Sequence, residues 1–514
     1  MIKKFLKNEF FWLILIILFA LFLRLWRITE IPPGLTGDEA WSGLDAIKIL
    51  QNGWIGPFVK LDAWGQNTFF FYILSPFVKI LGNTILSLRL LPALIGTITL
   101  IVIYFLNRKF LPPKAILLGI FLFSFNHWHL HFSRMSFMLI MVPLFSTLMY
   151  LSVLKGLEKN QLKYFLLAGI FFGLGLNTYP SFFYTAASFL IFFFLIFIQR
   201  KNHKKFLLKG LLLFLISAII ICLPLISYWT KNPDFLSGRV YLSNPFSGLG
   251  KENFEKTFNI TDVKTVDIIK INLIQTLGIF HFKGDLSSIN NLSGYPLLDL
   301  VTGLLFLLGL AILLLKKNKA RVVFLPWFLM SLVAGITTAD APNARRVIDT
   351  LPSLIFMTSL GINFILEKLK RFRLWLSLGL SLIILCSFLI NYQLFFVKYP
   401  QNSQAKFWFA YNQVKMCEYL KNNYKNYYVY FFSDFWSWDY ETRRFLCPNI
   451  QGENLPKNFT DPVIKTKGEN EKMIYILFPP FEPYLSNLKK SYNGKLETVN
   501  DEDGHLLFFS YIIN

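Results

Sequence analysis

Long apolar runs recur along the first four fifths of the chain, separated by short basic clusters. Phe10–Leu23, Ala115–Asn126 and Leu376–Ile390 carry no charge at all. Runs of this kind are membrane spans, not the half-polar helices of a water-soluble fold. The basic clusters are Lys3/Lys4/Lys7, Arg108/Lys109/Lys114, Lys155/Lys159/Lys163, Arg200–Lys209, Lys316–Arg321 and Lys368–Arg373. If all face the cytoplasm, each consecutive pair encloses a hairpin of two helices. The hairpins read as 10–28 with 86–107, 114–130 with 136–154, 163–178 with 181–199, 206–229 with 297–315, and 321–338 with 347–366. A last helix, 373–395, leads outward. The pattern predicts about eleven spans, with the N-terminus cytoplasmic and the C-terminus extracytoplasmic.

The apolar segment 67–81 does not fit this parity. About fifteen residues at 1.5 Å each reach only ~23 Å, short of a ~30 Å hydrocarbon core, and Pro76 and Lys79 interrupt it. It is expected to lie in the outer interface within a first outer loop, 29–85. The other outer segments are 127–135, 230–296, 339–346 and the tail, 396–514. In the tail the pattern changes. Phe407, Tyr411, Val414 and Cys417 recur at helical spacing, whereas Tyr427–Phe432, Met473–Phe478 and Leu506–Ile512 read as buried strands between turn residues. The expected fold is an α-helical polytopic membrane domain, 1–395, followed by a small extracytoplasmic α/β domain, 396–514. Outside the membrane, Cys417 and Cys447 could pair, while Cys222 and Cys386 lie in spans and stay reduced.

Composition narrows the function classes. Only 16% of the 514 residues are charged, 54% are hydrophobic, and Phe alone contributes 56. An ordinary soluble domain carries about 25% charged residues, so a large water-soluble enzyme is excluded. The net charge of +22 is banded between spans, which is the positive-inside pattern and not a nucleic-acid footprint. Four Cys are too few for a disulfide scaffold or a zinc ribbon. The N-terminal run lacks a small-residue cleavage site and reads as a retained first helix.

Polar groups are costly in so apolar a chain, so their placement is informative. They gather at the outer ends of the spans, where a transporter would place ionisable groups at mid-membrane. Gly37-Asp38-Glu39 follows the first span. One carboxylate could act as a general base, or the pair could simply be the acidic first turn of an interfacial helix. His127-Trp-His129-Leu-His131-Phe-Ser-Arg134 ends another span, open to metal binding, interfacial packing or a phosphate contact. Asp340-Ala-Pro-Asn-Ala-Arg345-Arg346 puts two Arg on the outer side against the charge bias. Arg forks suit phosphate, although they also snorkel to headgroups. In the long outer loop stand Arg239, Gly284-Asp285, Asn290-Asn291 and Asp299, where Asp285 is either a turn aspartate or a site residue.

In order along about 10–366, these segments resemble the polyprenyl-phosphate-sugar-dependent membrane glycosyltransferases of GT-C architecture, the protein O-mannosyltransferase and aminoarabinose transferase relatives (glycosyltransferase family 39-like). The resemblance is carried by Gly37-Asp38-Glu39-Ala40, Gly65-Gln66-Asn67 with Phe71-Tyr72, and Leu88-Arg89 with Pro92. It continues through Trp128–Arg134, Gly284-Asp285 with Asn291, Pro296 and Asp299, and Pro342–Arg346 with Pro352. It implies inverting transfer of a mannose-like or related sugar from a polyprenyl-phosphate carrier to an acceptor hydroxyl on the outer face, with no cofactor. It assigns the base to Asp38 and the lipid phosphate to Arg134 and Arg346. Glu39, Gln66, Tyr72, His129, Arg239, Asp285, Asn291 and Arg345 are the further candidates for substrate binding. Two departures stand out: Met135 occupies a position that is usually acidic, and the paired prolines after Gly65 are absent. The expected partners are the lipid-linked donor, membrane lipids and an unspecified acceptor, with no nucleic acid. The competing classes are a lipid-linked glycan flippase or transporter, and an outer-face ligase or polymerase using a lipid diphosphate donor.

Overall fold

Each of the eleven predicted segments holds a helix in the computed structural model, which describes residues 8–61, 64–233, 244–246, 248–368, 373–455, 472–480 and 484–513. Among the described residues, six helices are long and apolar enough to cross a membrane: Ile85–Asn107, Met138–Lys159, Phe182–Gln199, Lys201–Lys231, Ile348–Lys368 and Leu378–Gln401. The other five, Glu9–Leu25, Pro113–Ser124, Lys163–Leu176, Leu300–Leu315 and Arg321–Ile336, have 12–17 residues. At 1.5 Å per residue they reach about 18–26 Å. Several are short because their ends away from the basic clusters stop at polar residues, at Asn126, Asn177 and Thr337. Irregular backbone is tolerated at such depth only where protein groups satisfy it. Two amides do so here. Asn67 donates to the Leu176 and Thr178 carbonyls at 3.3 and 2.9 Å, and Asn272 donates to those of Ile336 and Thr338 at 2.8 Å each.

The basic clusters around Arg108, Lys159 and Arg200 meet at one end of the bundle. Arg108 pairs with Glu9 at 3.1 Å, Lys109 pairs with Glu158, and Arg200 donates to the Leu157 carbonyl at 3.1 Å. Phe69–Leu81 is a 13-residue helix, about 20 Å long. It follows an antiparallel hairpin of β1 (Phe58–Leu61) and β2 (Trp64–Asn67), in which Gln66 faces Val59.

The segment expected as a long outer loop, 230–296, contains helices Gly248–Phe258 and Thr265–Gly278. The second is inverted relative to a soluble helix. Val266, Ile269, Leu273, Ile274 and Leu277 are exposed, while Asn272 and Thr276 share its buried side with Ile268. The exposed stripe at i, i+3, i+7, i+8 and i+11 is apolar and its buried side holds an amide, which suits a face turned to lipid, with the exposed Asp267 and Lys270 on its first turns marking the end nearer water.

The tail has no sharp boundary at 396, because the helix ending the membrane domain runs on to Gln401. Beyond it a five-stranded sheet forms in the order β4-β3-β5-β7-β6, from β3 (Tyr428–Phe432), β4 (Gly452–Asn454), β5 (Met473–Leu477), β6 (Lys495–Asn500) and β7 (Leu506–Ile513). β3 pairs in parallel with β4 and β5, and β7 antiparallel with β5 and β6. Helix Tyr411–Asn423 covers one face, with Tyr419 against Phe508. Leu485 and Leu488 of helix Leu485–Ser491 pack on the other, with Tyr430 and Tyr475. Cys417 and Cys447 form a disulfide, and Cys222 and Cys386 are free. The apolar core is continuous from the membrane helices into the tail.

Candidate active site

Thr36 sets the orientation of the two adjacent carboxylates. It caps helix Gly37–Asn52 by a capping box, accepting from the Glu39 N–H at 3.2 Å while the Glu39 carboxylate turns back on the Thr36 N–H. That fold-back directs Glu39 inward. Neighbouring helical residues point about 100° apart, so Asp38 faces outward, with its side chain 66% exposed.

Glu39 is fully buried and saturated. It accepts from Arg89 Nε at 3.1 Å, Arg89 Nη2 at 3.3 Å and the Ser136 N–H at 3.1 Å. Arg89, equally buried, also donates to the carbonyls of Ile28, Pro32 and Gly34 at 3.0, 2.9 and 2.6 Å. The pair ties the first outer loop to helix Ile85–Asn107, and through Ser136 it draws segment 136–139 to the base of Asp38. Glu39, expected as a substrate ligand, thus has its carboxylate engaged by Arg89, Ser136 and Thr36.

Asp38, Ser42, Gly65, Gln66, Ser136–Leu139, Tyr179 and Arg345 line a cavity of about 110 Å³. Each wall has a tether. Asn67 holds the Tyr179 segment, Ser42 donates to the Ser136 carbonyl at 3.2 Å, and Arg345 arrives from the 339–346 loop. Its guanidinium sits 4.5 Å from the Phe137 ring centre, with Nη1 3.6 Å from Asp38 Oδ2. Arg346 diverges from it. Its guanidinium lies over the Tyr179 ring at 5.7 Å, and its buried Nε has no hydrogen-bond partner among the described residues. Tyr440 of the tail stands at the N-terminus of the Asp38 helix. Burial, together with Glu441 and Asp38, pushes its phenol up to about 12, so it is a proton-bearing donor at the rim.

The remaining candidates do other work. Arg134 is fully buried and donates to the carbonyls of Leu23, Trp26 and Ile31 at 2.7, 2.8 and 2.9 Å, under Phe395 and Phe396. It caps the end of the first helix away from the Asp38 cavity, and its buried Nη2 has no hydrogen-bond partner among the described residues. The three histidines part company. His129 contacts Arg24 at 3.0 Å, His127 contacts Asn391 at 2.9 Å, and His131 bonds the Ile289 carbonyl at 2.7 Å. All are buried, and none of them lines the cavity around Asp38. Tyr72 accepts from the Ile55 N–H at 2.8 Å and stacks on Trp54, holding the loop before the hairpin. Asn291 donates to the Tyr295 carbonyl at 2.5 Å and shapes its own loop. Asp285 accepts from the N–H groups of Ser287 and Ala344 and from Asn290, each at 2.8 Å, joining two outer loops. Burial pushes its carboxyl up to about 6. Arg239 lies outside the described residues.

Among the described residues, the one group of three side chains spaced to hold a cation is Asp501, Asp503 and His505 in the tail. There Lys406 already neutralises Asp501 at 2.8 Å. Asn272 is a positioning residue that the pattern of charges did not single out. A lone amide at the mouth of a span was the available signal.

Residues 67–229 match the family described as dolichyl-phosphate-mannose-protein mannosyltransferase. The whole chain is similar in fold to ArnT from Cupriavidus metallidurans bound to undecaprenyl phosphate, with a TM-score of 0.58 over 98% of each chain at 10% identity. Over residues 67–229 the chain therefore resembles that mannosyltransferase family, and over its whole length it shares the fold of ArnT. The Archaeoglobus fulgidus oligosaccharyltransferase in the apo form is 17% identical, with a TM-score of 0.47 over 87% of this chain, which spans 64% of that protein's length. The Saccharomyces cerevisiae protein O-mannosyltransferase Pmt1-Pmt2 complex bound to the sugar donor aligns over 50% of this chain at a TM-score of 0.35 and 16% identity. No curated protein matches the chain. The family match contains Arg89, Arg134 and Tyr179 but neither Asp38 nor Arg345 and Arg346.

Proposed function

We propose that this protein transfers a sugar from a polyprenyl-phosphate carrier to an acceptor hydroxyl at the outer membrane face, with inversion. The observation that carries the reading is one exposed carboxylate, Asp38, sharing a cavity with Arg345 and Tyr179, with the unpartnered Arg346 Nε directly behind Tyr179. Transfer needs a base for the acceptor proton as its oxygen attacks the anomeric carbon, and Asp38 is the cavity's carboxylate. It also needs fixed positive charge where the departing phosphate gathers negative charge, and Arg346 supplies a guanidinium with free donors. Neither role calls on a bound cofactor. The orientation places the N-terminus in the cytoplasm and the tail outside. The meeting of the basic bands near Arg108, Lys159 and Arg200 supports it, as does the Cys417–Cys447 disulfide, which belongs in an oxidising compartment. The sugar is a mannose-like hexose or a relative.

The test offers the purified protein a panel of radiolabelled polyprenyl-phosphate sugars with membrane extracts as acceptor. Label should move for one class of donor, and Asp38→Asn should abolish transfer while donor binding survives. Full turnover by Asp38→Asn at saturating substrates would remove the base from this mechanism.

A further inference from the structure

Arg345 does not reach Asp38 unaided. Its Nε donates to Asn290 Oδ1, a contact that fixes the guanidinium plane, because Nε is the one donor whose direction is tied to the side-chain axis. An amide can present oxygen or nitrogen there, and Asp285 makes the choice. Asp285 Oδ2 accepts from Asn290 Nδ2 at 2.8 Å, so the amide oxygen must face Arg345. The same Oδ2 accepts from the Ala344 N–H at 2.8 Å, adjacent to Arg345 in sequence, so one carboxylate oxygen fixes both the side-chain acceptor and the backbone that carries the arginine. Asn343 Oδ1 completes the frame by accepting from the Arg345 and Arg346 N–H groups at 3.0 and 3.1 Å. The Phe137 ring closes the other side of the guanidinium. Arg345, only 22% exposed, therefore has one orientation available, with Nη1 toward Asp38. Arg346 has no such frame on its side chain.

We infer that Asn290 and Asp285 are positioning residues that hold Arg345 against Asp38, so that the two adjacent arginines divide the work: Arg345 serves the base and Arg346 the phosphate. The inference rests on Asp38 being the base. It explains why a short polar segment fifty-five residues earlier in the chain must dock on the 339–346 loop, and it assigns Asn290 a role that neither its type nor its spacing suggests. Arg345 aligned on Oδ2 leaves the other carboxylate oxygen as the acceptor of the incoming hydroxyl proton. A misaligned guanidinium would compete for both oxygens.

Two double-mutant cycles on the full-length protein in lipid nanodiscs test this, combining Asn290→Ala with Arg345→Ala. In the first, turnover and affinity for unsugared undecaprenyl monophosphate are read separately. Asn290→Ala should slow turnover about tenfold and leave the lipid-phosphate affinity within about twofold. In the Arg345→Ala background it should cost nothing further. An equal loss in both backgrounds, or a lipid-phosphate affinity that falls as much as turnover, overturns the inference. The second cycle reads thermal unfolding midpoints and needs no donor. Asn290→Ala should lower the midpoint more in the parent chain than in Arg345→Ala, where only the Asp285 contact is left to lose, and equal drops overturn the coupling. If the parent chain transfers no sugar from any donor, the proposed function fails while the second cycle still decides the contact. Should Asn290→Ala not fold, Asn290→Ser, whose hydroxyl cannot bridge Asp285 and Arg345, carries both cycles.

Discussion

Replacing Glu39 by Gln separates the two adjacent carboxylates most sharply. Gln can still close the capping box with Thr36, so the helix start survives and the change isolates one charge. What it removes is the carboxylate facing Arg89, in a pair with both side chains fully buried. Leaving a buried charge without its counter-ion costs about 3–5 kcal/mol. Arg89 keeps three carbonyl acceptors, at Ile28, Pro32 and Gly34, so the expected loss sits at the lower end, about 3 kcal/mol. In a chain of this length that corresponds to a fall of roughly 3–6 °C in the unfolding midpoint. Asp38→Asn touches an exposed side chain and should leave the midpoint within about 1 °C. The assay is thermal unfolding of both variants in one detergent, alongside donor turnover. Glu39→Gln should lower the midpoint and reduce activity only in proportion to the folded protein lost. A Glu39→Gln protein with the parent midpoint and no turnover would show that Glu39 reaches the substrate, and the structural account of the pair would be wrong.

Three further outcomes follow from the same contacts. Arg346→Ala should weaken undecaprenyl-phosphate affinity and turnover together, by about tenfold or more, and Lys should restore only part because a point charge lacks the fork; an unchanged affinity would move the phosphate elsewhere. Asp285 has its carboxyl raised to about 6 against an ordinary 3.8, so between these values the folded chain binds more protons than the unfolded one and stability rises as pH falls. The midpoint of the parent minus that of Asp285→Asn should therefore increase from pH 7 to pH 5, and a decrease would refute the burial argument. On helix Thr265–Gly278, a polarity-sensitive dye at position 274 should report a lipid environment in nanodiscs, and a water-like signal would return that face to solvent.

Charge banding made the helical segments of the membrane domain legible, because basic clusters mark where one apolar run ends and the next begins. The central strands were legible for a similar reason. Tyr428–Phe432, Met473–Leu477 and Leu506–Ile513 are apolar runs bounded by turn residues, whereas β4, three residues long, and β6, half polar, carry no such signal. The roles of buried polar residues were not legible. A sequence shows that Arg134 lies at a membrane edge, but its carbonyl partners at Leu23, Trp26 and Ile31 stand more than a hundred residues away. Substrate phosphate and orphan helix-end carbonyls ask for the same guanidinium. His129 and Glu39 were ambiguous for the same reason, since a charge that braces a broken helix and a charge that meets a ligand occupy the same outer layer.

The tail looks detachable in sequence, yet the first outer loop is built to receive it. Gly34 adopts φ +78°, and a Cβ there would lie 2.3 Å from the Phe409 carbonyl oxygen. A Cβ at Gly37 would meet the Tyr440 hydroxyl at 2.6 Å, and one at Gly43 would meet the Phe445 ring at 2.5 Å. Between these points the Leu35 N–H donates to the Phe409 carbonyl at 2.6 Å and Thr442 donates to the Leu35 carbonyl at 2.9 Å. Three positions without side chains on the segment bearing Asp38 therefore match three intrusions from the tail. The Asp38 helix is gripped from the membrane side by Glu39–Arg89 and from the other side by the tail, and neither grip uses Asp38 itself. That arrangement suits a base that must stay exposed while its backbone stays fixed, because a carboxylate free to meet an acceptor cannot also anchor its own helix. The tail is thus part of what sets the position of the base, although none of its described residues lines the cavity.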